Sequence, residues 1–108
     1  MGLLDRIRGL FSRGGRDDSL LLQGLEHAKA KRPQDAIAIY NRLLDSRSTS
    51  EATRARALFN RALAYSALDD DANALADLQR VLSLPDLPEN VQNAARSQLA
   101  RVRRRNPG

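Results

Sequence analysis

A chain of 108 residues has room for one domain with a modest core, and 42% hydrophobic residues exclude a disordered composition. The absence of Cys excludes disulfides, thiolate metal sites and Cys nucleophiles. The net charge of +5 lies in the ends: residues 1–16 carry four Arg and one Asp, residues 96–105 carry five Arg and no acid, and residues 17–95 are net acidic with nine basic and twelve acidic residues.

The first element, residues 1–13, reads MGLLDRIRGLFSR. Leu3, Leu4, Ile7, Leu10 and Phe11 fall at helical spacing on one face, bordered by Arg6, Arg8 and Arg13. The pattern predicts a short amphipathic basic helix, followed by a Gly-rich linker at 14–17. Asp5, Arg6 and Arg8 interrupt any signal-peptide core, and Arg6 stands where a myristoylation motif wants Ser or Thr. No apolar run approaches the ~20 residues of a membrane span.

Residues 20–45 and 58–83 then align without a gap at an offset of 38. Leu20 matches Leu58, Gly24 Ala62, Leu25 Leu63 and His27 Tyr65. Ala36 matches Ala74, Ile37 Leu75, Tyr40 Leu78, Leu43 Val81 and Leu44 Leu82. Small positions stay small and large ones large, which marks an internal repeat of helix pairs.

In the first unit, about 18–47, Asp18 or Ser19 is expected to cap a helix running to about Lys31, and Pro33 suits the first turn of the next. In the second, about 50–84, the first helix starts near Ser50 and the break is Asp69-Asp70-Asp71. Those acids read as a helix-start turn rather than a cation site, which needs more spaced oxygens. Gly24 with Ala36, and Ala62 with Ala74, let two backbones approach, with Tyr40 and Leu78 one turn further on.

A last helix spans about 87–105. Asp86 and Glu89 form a capping-box-like pair with Pro88 in the first turn, and Val91, Ala95, Leu99 and Val102 make one apolar stripe with a polar back, as the end-cap of a stack requires. Arg101 to Arg105 read as a solvated basic end.

The repeat resembles the tetratricopeptide repeat, on Gly24, His27, Ala36 and Tyr40, then Ala62, Tyr65, Ala74 and Leu78, and most of all on NRALAYSALDD followed by ANAL. The similarity covers about 19–85, and it departs from the family pattern in lacking Trp, in Leu43 and Val81, and in a period four residues longer. The resemblance implies an all-α fold: a short α-α superhelix of two repeats and a capping helix over 18–106. It also implies a non-catalytic adaptor, without cofactor or metal, that binds a protein or peptide in a concave groove. By position the groove would include Leu21, Leu25, Ala28 and Lys29 of the first unit. From the second it would include Arg56, Phe59, Asn60, Leu63, Ser66 and Ala67. The chaperone-binding subfamily needs Lys and Asn one turn apart where this chain has Leu21 and Leu25, so no carboxylate clamp is expected.

Two covers suit the N-terminal stripe, and the Gly14-Gly15 joint and clustered Arg, unnecessary for docking within the molecule, favour the first. One is an anionic bilayer surface, which would give weak attachment on the inner face of the membrane of a cytoplasmic, bacterial-type protein. The other is protein: the groove itself, or a second copy in a homodimer, since two repeats are fewer than the three usually wanted. A different class, nucleic-acid association through the Arg-rich ends, is the alternative, but an acidic middle argues against it.

Overall fold

The computed structural model describes the backbone of residues 3–106 and the side chains of residues 15–106. It is all-α, with no strand among the described residues. Five helices follow in order: α1 Leu3–Lys29, α2 Pro33–Asp45, α3 Glu51–Ala67, α4 Asp71–Leu82 and α5 Glu89–Arg105. Each packs on the next, and α1 also lies against α3. The side chains of the predicted N-terminal face, Leu3 to Arg13, lie outside the described set, as does Pro107-Gly108.

Local chemistry fixes the helix starts. Pro33 opens α2, where its missing N–H costs nothing. The Ser50 side chain accepts from the Thr53 backbone N–H at 3.2 Å and caps α3. Asp70 caps α4, accepting from the Asn73 backbone N–H at 3.3 Å and its side-chain amide at 2.7 Å. Two expectations are corrected. The α1 backbone is helical through Gly14 and Gly15, so neither Asp18 nor Ser19 is its start; Gly lowers helix propensity by ~1 kcal/mol without forbidding the helix. The capping box before α5 does not form. Asp86 takes a left-handed φ of 54° and Pro88 is itself the N-cap, with no side-chain cap bond.

The 38-residue offset returns in the turns. Lys31 and Asp69 both take left-handed φ, at 61° and 59°. Arg32 N–H donates to the His27 carbonyl and Asp70 N–H to the Tyr65 carbonyl, each at 2.9 Å. Both ends are thus Schellman turns, in which the left-handed position ordinarily suits Gly. A Lys there is strained by its Cβ. Lys31→Gly is therefore expected to stabilise the fold by ~1 kcal/mol, seen as a rise of a few degrees in a thermal melt; Asp69→Gly gains less, because Asp tolerates this region better.

The same offset reaches α5. It begins 38 residues after α3 and has the same 17 residues. Ala57 and Ala64 of α3 are buried against the first unit, and their counterparts Ala95 and Val102 of α5 are buried against the second. So α5 stands as the first helix of a third unit.

Two core clusters result. One gathers Leu20, Leu21, Ala36, Tyr40 and Leu43 with Ala57 and Ala64 of α3; the other gathers Leu58, Ala62, Leu78 and Val81 with Leu87, Ala95 and Val102. Tyr40 lies directly on Gly24, not one turn beyond it. A Cβ at Gly24 would sit 2.8 Å from Tyr40 Cζ and 3.0 Å from Cδ1, and closer still to Cε1.

The Tyr40 hydroxyl is buried and has no hydrogen-bond partner among the described residues. Burial raises its pKa, because the phenolate would lose solvation. Below the ordinary value of about 10 both folded and unfolded chains hold the proton, and the group makes no difference. Above it the unfolded chain releases the proton first, so stability falls as pH rises from that value toward the higher folded one. Tyr40→Phe should remove this alkaline loss, as read by denaturant midpoints across that pH range.

Candidate functional site: a groove between α1 and α3

Three of the groove residues expected from sequence come together. Ala28 of α1 and Leu63 and Ala67 of α3 line one concavity with Lys31, Pro33 and Ala64. Leu63 is 38% exposed, large for an apolar side chain, and Leu22 on α1 is 56% exposed. Leu25 is half-buried and Lys29 is exposed, and neither lines the concavity.

The others go elsewhere. Leu21 is a core residue at 8% exposure. Phe59 is half-buried against the second core cluster, and Asn60 is half-buried. Arg56 is exposed and lines a separate concavity with Ala52, Ala55, Asn90, Val91 and the 84–88 loop. Ser66 is buried and accepts from Arg105 Nη2 at 2.5 Å.

Arg105 also donates to Asp71 Oδ1 at 2.7 Å, and the Asn106 amide donates to Asp71 Oδ2. The Arg-rich end is therefore not all solvated: Arg105 fastens α5 to the end of α3 and the first residue of α4. The acidic triplet is accounted for in part by the same contact, with Asp70 as a cap and Asp71 as an anchor. No group of three or more potential metal-ligating side chains gathers among the described residues.

Sequence reasoning missed the polar network that positions α3. Arg61 donates to Asp77 through Nε at 2.8 Å and Nη2 at 2.7 Å, a two-pronged pair, and through Nη1 to Asn41 Oδ1 at 2.8 Å. Three helices meet at this guanidinium. Its hydrogen bond to Asp77 raises the Arg61 pKa, against the opposing effect of burial. The guanidinium also lies 5.7 Å from the Tyr65 ring centroid. A signal was present: Asp77 sits on the buried stripe with Ala74, Leu78 and Val81, and a carboxylate there needs a partner. Arg54 does similar work at the end of α2, donating to the carbonyls of Leu44 at 2.9 Å and Ser46 at 2.5 Å.

Chemically, the site is largely apolar: it is lined by Ala28, Pro33, Leu63, Ala64 and Ala67, with Lys31 as its one charged lining residue. No helix among the described residues is long and apolar enough to cross a membrane. Among known proteins, the sequence model of the tetratricopeptide repeat family matches residues 56–86, from α3 through the loop after α4. No curated protein and no solved structure matches the chain.

Proposed function

We propose, taking the chain as a short tetratricopeptide-type helical repeat, that it is an adaptor whose α1–α3 groove holds an apolar segment of a protein. The family is one that generally binds protein partners and does no catalysis. The observation that carries the reading is Leu63, 38% exposed over a concavity shared with Ala28 and Ala67. Apolar surface facing water costs ~25 cal/mol per Å², which a segment laid over it recovers. The rigid helices on either side keep that surface open and spare the protein the entropy of forming it on binding.

The test is site-specific photo-crosslinking in cells that express the protein. A benzophenone side chain at position 63 should give a discrete protein adduct, and one at exposed Gln79 on α4 should not. Adducts equally abundant at the two positions, or absent at 63, would sink the groove as the docking site.

A further inference from the structure

Three observations concern one side of α1. This helix has 27 residues against 13 in α2, so at 1.5 Å per residue it is longer by about 20 Å. Its apolar positions Leu3, Leu4, Ile7 and Leu10 stand eighteen residues before Leu21, Leu22, Leu25 and Ala28, about five full turns. A single continuous helix therefore carries both series on one side. Finally, cover is incomplete at Leu22 and Leu25 along α1 and at Leu63 in the groove.

We propose that the groove's occupant is residues 3–14 of a second copy of this chain. The two α1 helices run antiparallel, each N-terminal arm lying in the other copy's groove. This rests on the groove reading above and names its partner.

Length, register and charge all support it. Residues 3–14 and 18–29 are equal stretches of helix. With the two-fold axis at position 16, Leu4 and Ile7 fall opposite exposed Ala28 and half-buried Leu25 of the second copy. Phe11 falls opposite Leu21, whose side chain is already folded into that copy's core. Positions 4, 7, 11, 14, 18, 21, 25 and 28 alternate in steps of three and four, the spacing of a seam between two helices. Arg6 falls opposite Glu26 of the second copy, and Arg13 within one residue of its Asp18. One patch on each copy suffices, because a two-fold interface is self-complementary and closes. A bilayer fits less well. A helix continuous with the body would bring Asp18, in the same seam, toward the anionic surface that the arginines seek.

Sedimentation equilibrium on the full chain and its point variants tests this at tens of micromolar protein, with pelleting on vesicles of mixed phosphatidylcholine and phosphatidylserine beside it. The full chain should be a dimer. Ile7→Glu, outside the repeat core, should make it a monomer with an unchanged helical spectrum. Arg6→Glu and Glu26→Arg should each weaken the dimer about tenfold or more, and the two together should restore it. A monomeric full chain overturns the proposal, as does a dimer indifferent to Ile7→Glu or a double exchange without rescue. Pelleting of a monomer that Ile7→Glu abolishes overturns it in favour of the bilayer. In the dimer, the position-63 adduct should map to residues 3–14 of the same protein. A monomer whose adduct is to another protein leaves the groove standing and removes only self-pairing.

Discussion

Gly24→Ala should destabilise the protein by ~1–3 kcal/mol, the range for forcing extra volume into a packed core. The substitution adds a single methyl. In an exposed helix it would help, since Ala is the better helix former by ~1 kcal/mol. Here the methyl would meet the Tyr40 ring at 2.8 Å from Cζ, and the ring is fully buried with nowhere to retreat. The second unit shows the remedy within the same molecule. There Ala62 stands where Gly24 does, and Leu78 where Tyr40 does. The larger side chain goes with Gly and the smaller with Ala. Gly24→Ala should thus be rescued in large part by Tyr40→Leu, giving a double-mutant coupling of opposite sign to the single losses. Additive losses would show that the ring and the methyl do not compete.

Arg61→Met should cost ~3 kcal/mol, because it leaves the Asp77 carboxylate buried without its partner. Asp77 is 3% exposed, and the Arg61 side chain in the pair is 15% exposed. Arg61→Lys keeps the charge and loses the two-pronged geometry, so an intermediate loss is expected. Arg61→Met with Asp77→Leu should recover most of the stability, since a buried ion pair replaced by apolar side chains is often neutral. Urea denaturation of the four proteins decides. If Arg61→Met is as stable as the parent, the network is not what ties α2, α3 and α4 together.

The repeat and most helix starts were legible because short-range chemistry sets them. Pro33, Ser50 and Asp70 act within one turn of themselves, and the alternation of small and large residues survives at a fixed offset. The tetratricopeptide match over 56–86 falls on the unit that reads most clearly. Continuity of α1 was not legible: a Gly pair weakens a helix and breaks one equally well, and context decides. The capping box misled because Asp86 and Glu89 have the right spacing, but a left-handed Asp86 points the chain away from that geometry.

The groove was half legible. Helical position alone could place Ala28, Leu63 and Ala67 on one side, and they do share a concavity. It could not show that Ser66 is drawn to Arg105, thirty-nine residues away, or that Leu21 is folded into the core. Both outcomes depend on how the units stack, which no local window contains. The meeting of Arg61 with Asn41 and Asp77 is of the same kind.

The continuation of the 38-residue offset into α5 bears on crystal-like growth. A stack of identical units is a one-dimensional lattice, and such a lattice extends until an end refuses the next member. At one end, α5 carries exposed Arg96 and Arg103 where α3 carries Leu58 and Tyr65. At the other, α1 carries exposed Ser19 and Glu26 where α3 carries buried Ala57 and Ala64. Head-to-tail addition of whole molecules would have to strip water from these charged groups at every joint. Among the described residues, both faces through which these units could stack into a fibre thus carry charge, while exposed Leu63 lies in the lateral groove.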